Sequence, residues 1–279
     1  MVIDAHHHFW NYDPVAYDWI DDKMNEIRSD FLPGKLEQII LASGINGVVT
    51  VQARQSVEES IWLLELAHRH EFIKGVVGWL PLMDSGLEAY LEHFADEKLL
   101  KGVRHIIQAE PDPEFVLKRD FNRGISLLKN FQLVYDILIV ENQLPNIIRM
   151  VDQHPDQVFV LDHIAKPQIR KNELSPWREQ IQQLAKRLNV NCKISGMVTE
   201  AEYHHWSTDQ LDPYFEVVLE AFGANRLLFG SDWPVCLVAT TYSDWMNLVR
   251  NKISGLSQNE QNKIMGGNAK RIYKLKVEN

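Results

Sequence analysis

Cysteine is nearly absent from this chain of 279 residues. Cys192 and Cys236 are too few for a disulfide framework, and they form no C-x-x-C metal site. This composition favours a protein of the reducing cytoplasm. A secretory signal peptide is not expected either, because Asp4 interrupts the apolar run that such a peptide needs near the start of the chain.

Long apolar runs and clusters of basic residues are missing as well. No apolar run approaches the ~18 residues that a membrane-spanning helix requires. The formal net charge is -9, and Lys and Arg form no block along the sequence. Nucleic acids and anionic membranes are therefore poor candidate partners for this protein.

The chain instead shows a regular alternation of short apolar segments with helical ones. The apolar segments are rich in Val, Ile, Leu and Phe on both faces, which is typical of parallel strands covered on both sides. The predicted strands span residues 2–6, 47–52, 75–81, 101–106, 132–139, 158–163, 190–195 and 226–230. The predicted helices span residues 36–43, 57–70, 87–95, 114–129, 144–153, 176–188, 209–222, 243–253 and 260–275.

This alternation predicts an α/β protein, a single (β/α)8 TIM barrel over residues 1–279 with additional helices at its C-terminus. A doubly wound open sheet is the alternative, but no G-x-G-x-x-G or G-x-x-x-x-G-K motif follows a predicted strand. Helix starts support the alternation, since Ser56, Ser85 and Ser257 each begin a capping-box pattern. Gly44 and Gly223 stand where helices should end.

The connection between the first strand and the first helix is long, from about residue 9 to residue 35. In a TIM barrel this connection lies on the face that carries the active site. We therefore expect it to cover the active-site mouth as a partial lid.

Ionisable residues follow the predicted strands at the ends where a barrel carries its chemistry. The first strand leads into Asp4-Ala5-His6-His7-His8, where strand alternation turns His6 and His8 to the same face. Two imidazoles in this arrangement suit one metal ion or one substrate. H-x-H alone is a weak motif, and a solvated histidine cluster without a role is the alternative.

Other predicted strands also run directly into polar groups, which packing alone does not explain. Four of them have a structural alternative: His163 as a core histidine, Asp232 as a helix cap, Arg104 as a partner in an ion pair and Lys166 as a solvated lysine. The residues in question are Gln52, Arg54, Arg104, His105, Tyr135, Asp136, Asp162, His163, Lys166, Lys193 and Asp232.

Five segments together resemble the amidohydrolase superfamily and, more narrowly, its sugar-lactonase branch of L-fuconolactonase-like and L-rhamnonolactonase-like enzymes, to which 2-pyrone-4,6-dicarboxylate lactonase is related. The resemblance extends from about residue 3 to residue 275. In chain order the segments are Asp4-Ala5-His6-His7-His8-Phe9-Trp10, Gly102-Val103-Arg104-His105, Asp162-His163-x-x-Lys166-Pro167, Phe229-Gly230-Ser231-Asp232-Trp233-Pro234 and Gly267-Asn268-Ala269-x-Arg271-x-Tyr273.

The resemblance implies hydrolysis of a sugar-acid lactone, such as L-fuconolactone or L-rhamnonolactone, with Asp232 as the general base. It implies metal ligands at His6, His8, His163 and Asp232, and catalytic roles for His163 and Arg104. The strands in the middle of the barrel offer no residue to bridge two ions. We therefore expect one divalent ion, with Zn as the first choice, or a site that works without metal.

The resemblance also places Lys166 near the substrate, and the residues themselves suggest further groups that contact it. Lys166 and Gln52 would bond its hydroxyls, Trp10 and Tyr135 would pack on the sugar ring, and His105 would lie nearby. A decarboxylase or an amidohydrolase on the same scaffold is one alternative, and a catalytically silent barrel that binds a sugar acid is another. The stereochemistry of the lactone is not determined by the sequence, and a homodimer remains an option.

Overall fold

A computed structural model describes residues 1–276 of the chain. Eight parallel strands pair in sequence order, each with the next along the chain, as the alternation predicts. They are β1 (Ile3–His7), β2 (Gly47–Val51), β3 (Ile73–Gly78), β4 (Leu100–Ile106), β5 (Val134–Leu138), β6 (Phe159–Leu161), β7 (Val190–Ile194) and β8 (Leu227–Phe229). The (β/α)8 barrel is confirmed; the last three residues of the predicted domain lie outside the described residues.

Helices lie between the strands and after the last of them, also as predicted. They are α1 (Pro33–Ser43), α2 (Val57–Arg69), α3 (Leu87–His93), α4 (Arg119–Leu128), α5 (Leu144–Asp152), α6 (Trp177–Ala185), α7 (Thr208–Phe222), α8 (Tyr242–Lys252), α9 (Gln258–Asn262) and α10 (Asn268–Ile272). Within the described residues, no helix combines the length and the apolar character needed to cross a membrane.

The barrel closes between β1 and the residues that follow β8. The backbone N–H of His8 donates to the carbonyl of Trp233 at 2.7 Å, and the N–H of Asp232 donates to the carbonyl of His6 at 2.8 Å. These two bonds place the beginning and the end of the barrel side by side at the C-terminal ends of the strands. Closure therefore brings His6 and His8 next to Asp232, more than two hundred residues away in sequence.

Several boundaries differ from the predictions. β6 ends at Leu161 instead of residue 163, because His163 and the three residues after it have left-handed φ angles that no strand accommodates. The predicted helix 114–129 is divided into a short 3-10 turn, Phe115–Leu117, and α4, because Lys118 between them is extended.

The helix predicted over residues 260–275 is also divided. A π-helical turn, Lys263–Gly267, separates α9 from α10. Gly266 lies against the start of β1, where a β-carbon would stand 2.8 Å from the backbone nitrogen of Ile3. The break lets α10 fold back beneath the barrel.

Two of the three predicted capping boxes have their serine at the helix start. Ser56 accepts from the N–H of Glu59, and Ser257 forms the complete box with Glu260. The third prediction was wrong, because Gly86 and not Ser85 precedes α3, without a side-chain cap.

The long connection after β1 covers the mouth, as expected. It contains a 3-10 segment, Asp22–Ile27, and its two ends are joined by paired backbone hydrogen bonds between Trp10 and Phe31 at 2.9 and 3.0 Å. Ala16, Trp19 and Met24 of this connection line the cavity below it. These three side chains make the connection part of the cavity wall.

Candidate active site

A cavity of about 540 Å³ opens at the C-terminal ends of the strands. Its floor carries His8, Arg104, His163 and Asp232, and its rim carries Arg54, Lys166, Glu200 and Tyr203. Apolar side chains complete the wall, among them Ile106, Leu138 and Val235. A cavity with an apolar wall and a few convergent polar groups suits a small organic substrate.

Three imidazoles converge on one carboxylate at the floor. The Nε2 atoms of His6, His8 and His163 lie 3.7, 3.4 and 3.9 Å from Oδ1 of Asp232. The Nε2 atoms of His6 and His8 are 3.2 Å apart. All four side chains are buried. The arrangement therefore concentrates one acceptor oxygen and three ring nitrogens at a single point.

Each imidazole is held at its other ring nitrogen. Nδ1 of His8 lies 2.8 Å from the carbonyl oxygen of Val51, and Nδ1 of His163 lies 2.9 Å from Oγ of Ser195. Nδ1 of His6 lies 3.3 Å from Oδ1 of Asp162. With the proton on Nδ1, His8 donates to the carbonyl of Val51 and keeps its Nε2 lone pair for a ligand. At His6, Nδ1 also lies 3.1 Å from the ammonium of Lys193, which can only donate.

Burial keeps two of these histidines neutral. It lowers the pKa of His6 well below its usual range and lowers the pKa of His163 to about 4, against 6.5 for an exposed histidine. For Asp232, burial alone would raise the pKa, but the nearby His163, His8 and Lys166 outweigh it and lower the pKa of the carboxyl. At neutral pH the cluster thus pairs the neutral imidazoles of His6 and His163 with the ionised carboxylate of Asp232.

The shifted pKa of His163 predicts a stability loss in acid. The unfolded chain takes up this proton below pH 6.5 and the folded chain only near pH 4, so the free energy of unfolding falls as the pH drops through that window. The full contribution is about 3 kcal/mol. We expect the free energy of unfolding of metal-stripped wild type to fall by about 3 kcal/mol more than that of His163→Gln between pH 7 and pH 4. Urea unfolding at the two pH values measures this difference.

The comparison with His163→Gln is necessary because other buried groups titrate in the opposite sense. Burial raises the pKa values of Asp4 and Asp136 to about 6, so protonation of these carboxyls below pH 6 stabilises the folded chain. Their effect is common to both proteins and cancels in the difference. Equal pH dependence of the two proteins would contradict a neutral, buried His163.

The donor atoms at the floor fit a divalent ion. Within the described residues, two overlapping sets have ligand atoms that all lie within 4.8 Å of one another: His6, His8 and Asp232, and His6, Asp162 and His163. Metal binding requires deprotonated ligands, and the neutral His6 and His163 with the ionised Asp232 meet that requirement. Nitrogen and oxygen donors of this kind suit Zn.

Asp232 is presented by a tight turn that a buried carboxylate holds in place. Asp4 accepts hydrogen bonds from Ser231, at 2.9 Å from the backbone nitrogen and 2.6 Å from Oγ, and from the hydroxyl of Tyr242 at 3.0 Å. Asp232 itself has a left-handed φ of 58°. Asp4 therefore fixes the direction in which Asp232 enters the cavity.

Gly230 makes the close approach of β8 to β1 possible. A β-carbon at this position would stand 2.8 Å from Cβ of His6 and 3.2 Å from Cβ of Ser195. We expect Gly230→Ala to displace the His6 ring and to lower kcat about a hundredfold, the effect of a misplacement of about 1 Å. Gly255→Ala is the matched control, because nothing lies within 4 Å of its added carbon. Similar kcat values for both variants would rule out this constraint.

His163 begins a strained segment. His163, Ile164, Ala165 and Lys166 all have φ between 47° and 63°, a conformation that is costly for a β-branched residue such as Ile164. The indole of Trp177 donates to the carbonyl of Ile164 at 2.8 Å and stabilises the segment. The turn directs His163 to the floor while Lys166 stands at the rim, 3.8 Å from Glu200.

Arg104 is fixed within the floor by neighbouring oxygens. Its guanidinium donates to the carbonyl and to Oε1 of Gln52, and to Oδ2 of Asp162 at 3.0 Å. Its Nη1 also lies 3.4 Å from Nε2 of His6. Arg104 therefore places a fixed positive charge beside the histidine cluster.

Four residues expected to contact substrate do not line the cavity. Gln52 is fully buried behind Arg104, which it holds in place. Trp10 is also fully buried: it packs against Tyr17 and Phe31, and its indole donates to the carbonyl of Ser29. Both support the site from behind instead of facing a ligand.

Tyr135 and His105 lie on the outer side of their strands. Tyr135 is fully buried and packs against Phe121 and Phe159. His105 stacks on Phe115, and its Nε2 lies 2.6 Å from Glu110. Strand alternation explains both corrections, because the neighbours Asp136 and Arg104 take the inward positions.

A buried charge network below the floor was not predicted as part of the site. Lys193 contacts Asp136 at 2.5 Å and Asp162 at 3.0 Å, and its Nζ is 3.1 Å from Nδ1 of His6. Tyr273 of the C-terminal segment donates to Asp136 from below. The sequence signal that could have found this network is Lys193 itself, a charged residue inside the predicted strand 190–195.

Comparison with known proteins matches this geometry to a family. The family model described as amidohydrolase matches residues 3–275, nearly the whole chain. The chain belongs to the amidohydrolase family. The members of the cluster, His6, His8, His163 and Asp232, all lie within the matched range.

Relatives within this family include named lactonases. The chain is 38% identical to an L-fucono-1,5-lactonase of Burkholderia multivorans, with 99% of this chain and 96% of the relative covered. It is 31% identical to an L-fucono-1,5-lactonase of Burkholderia ambifaria, with 98% and 95% covered. A crystal structure of a Burkholderia multivorans amidohydrolase with bound Zn matches at a TM-score of 0.96 and 37% identity, over 99% of this chain and 100% of that one.

These comparisons assign the chain to an enzyme family. Its named relatives are lactonases, which are hydrolases that act on ester bonds, and such enzymes act on small molecules. The prediction of an amidohydrolase-type lactonase from the five sequence segments is confirmed at this level.

Proposed function

We propose that this protein hydrolyses a sugar-acid lactone, with L-fucono-1,5-lactone as the first candidate. The observation that carries the proposal is the convergence of three imidazoles on the Asp232 carboxylate at the floor of a closed-sided cavity. The 38% identity to an L-fucono-1,5-lactonase over 99% of the chain supports the choice of substrate.

Asp232 acts as the general base in this proposal. Its lowered pKa keeps the carboxyl ionised at neutral pH, so that it accepts one proton from the attacking water. The water oxygen forms a bond to the lactone carbonyl carbon, and the bond from that carbon to the ring oxygen breaks. The proton held by Asp232 then passes to the departing ring oxygen, which leaves a sugar acid with a free hydroxyl.

The developing negative charge on the carbonyl oxygen needs a fixed positive partner. Arg104 supplies one, because its guanidinium is held by Gln52 and Asp162 and does not have to reorganise during the reaction. At the rim, Lys166 and Arg54 are in position to donate to substrate hydroxyls, and Ile106 and Leu138 offer an apolar surface to the C–H face of the ring.

His6, His8, His163 and Asp232 would hold one divalent ion, with Zn as the first choice. When bound, such an ion supplies Lewis-acid polarisation of the lactone carbonyl. A family member of 37% identity was crystallised with bound Zn, which supports this assignment. Without an ion, His163 would act on the carbonyl as a hydrogen-bond donor from Nε2, in the tautomer whose Nδ1 accepts from the hydroxyl of Ser195.

We further propose that residues 1–279 form one domain that works in the cytoplasm on a small-molecule substrate, without a nucleic-acid partner. The pair of reduced, buried cysteines, Cys192 and Cys236, is compatible with a reducing compartment. A homodimer is the oligomeric state that we would test first.

A pH-indicator assay on a panel of aldonolactones tests the function. We expect rapid turnover of one stereochemical subset that includes L-fucono-1,5-lactone, and a parallel series after chelator treatment measures the contribution of metal. If folded protein supplied with divalent ions hydrolyses no lactone of the panel, the proposal is overturned. That result would favour a decarboxylase, an amide hydrolase or a catalytically inactive barrel that binds a sugar acid.

A further inference from the structure

Lys193 is a buried cation directly beneath the histidine cluster. Its side chain is fully buried on β7, and its Nζ lies 2.5 Å from Oδ2 of Asp136 and 3.0 Å from Oδ1 of Asp162. The same Nζ stands 3.1 Å from Nδ1 of His6. An ammonium held between two carboxylates at these distances is fixed in position.

The two possible sets of metal ligands at the floor differ in the contacts that their ligand atoms already make. In the set of His6, His8 and Asp232, His8 and Asp232 line the cavity, and Nε2 of His6 lies 3.2 Å from Nε2 of His8. The second set, His6, Asp162 and His163, depends on the Asp162 carboxylate. Both oxygens of that carboxylate already contact cations, Oδ1 with Lys193 and Oδ2 with Arg104 at 3.0 Å.

The charges in this buried layer balance without a metal. Two carboxylates, Asp136 and Asp162, face two cations, Lys193 and Arg104. A divalent ion bound through Asp162 would lie within a few ångströms of both cations, and like charges at that separation repel strongly in a buried site. The layer thus has no unpaired negative charge to offer a second ion.

The position of Lys193 is supported from below. Tyr273 donates its hydroxyl hydrogen to the Asp136 carboxylate, whose two oxygens lie 2.8 and 2.9 Å from the hydroxyl oxygen. All of these groups are fully buried. Asp136 is therefore oriented by the C-terminal segment and keeps the Lys193 ammonium against Asp162 and His6.

We infer that Lys193 permanently occupies the position of a second cation and thereby limits this site to one divalent ion. The inference rests on the metal site proposed above, but it concerns the number of ions and not the reaction. The residue acts through Asp162 and His6 and is a positioning residue, since it does not line the cavity.

Metal stoichiometry tests the inference independently of activity. Wild type is loaded with excess Zn, passed through a desalting column and analysed by mass spectrometry for Zn per chain. We expect one ion per chain in wild type and two in Lys193→Ala, where Asp136 and Asp162 lose their shared cation. Zero or two ions in wild type, or one ion in folded Lys193→Ala, would overturn the inference.

Two further variants separate the charge from general loosening of the layer. Tyr273→Phe removes a donor to Asp136 but keeps the ammonium, so it should retain one ion; two ions there would also contradict the role of Lys193. If Lys193→Ala does not fold, Lys193→Met, which keeps most of the side-chain volume but removes the charge, carries the same expectation of a second ion. Lactonase activity, measured separately, distinguishes failure of this inference from failure of the proposed function.

Discussion

Replacing Asp232 with asparagine is expected to lower kcat by about 10²- to 10⁴-fold, the usual contribution of a general base. The amide has nearly the same shape as the carboxylate but cannot accept the proton of the attacking water. Because Asp232 sits in a turn held by Asp4 through Ser231, the variant should keep the wild-type fold. Steady-state kinetics on the preferred lactone, with circular dichroism to verify folding, measures the effect.

Asp18→Asn is the matched control for this experiment. Asp18 is an exposed carboxylate on the connection that covers the mouth, and it lines the outer cavity without contacting the histidines. We expect its substitution to change kcat by no more than a few fold. A near-normal kcat in Asp232→Asn, or equal losses in both variants, would contradict the role of Asp232 as the base.

Replacing Asp162 with asparagine should have the largest effect on stability, about 3–5 kcal/mol of unfolding free energy. The change leaves Arg104 and Lys193 buried without the carboxylate that both contact. It also removes the carboxylate that lies 3.3 Å from Nδ1 of His6 and helps to orient that ring. Urea unfolding monitored by tryptophan fluorescence measures the loss, and kcat should fall as well.

The surface pair of Asp152 and Arg187 provides the comparison for Asp162→Asn. Arg187 contacts both oxygens of Asp152 at 2.8 Å, but half of the Asp152 side chain is exposed. We expect Asp152→Asn to change the unfolding free energy by at most about 1 kcal/mol. An equally small change in the unfolding free energy of Asp162→Asn would contradict the expected dependence of the buried layer on this carboxylate.

The sequence predicts the barrel because its periodicity is local. Each strand is a short apolar run, each helix has its own start and stop signals, and their regular order leaves few topologies. The convergence of His6 and His8 with Asp232 follows from the barrel itself, since strand ends share one face and the first and last strands are neighbours.

It was harder to predict which side chains of a strand point into the barrel and which point outward. Strands buried on both faces show no polar-apolar alternation, so the pattern does not tell which of Tyr135 and Asp136 points inward. The ring of Tyr135 was predicted to contact the substrate, but it packs on the outer side of the strand against Phe121 and Phe159. The same ambiguity affected His105 beside Arg104.

The buried layer was missed because it depends on contacts between distant strands. Lys193 meets an aspartate 57 residues away on β5, and Tyr273 reaches the same aspartate from 137 residues away. No local pattern encodes such pairings. The left-handed segment from His163 to Lys166 is also invisible in sequence, because none of its four residues is glycine, the type that most readily adopts a positive φ.

A single-turnover reaction in water enriched in oxygen-18 tests most directly whether Asp232 activates water for attack on a lactone carbonyl. Enzyme in excess is mixed with the preferred lactone, and mass spectrometry follows the product and the peptide that contains Asp232. The account predicts one labelled oxygen in the product carboxylate and none in the Asp232 peptide. Label in Asp232 with an unlabelled product would contradict it, because the carboxylate would then have attacked the carbonyl itself.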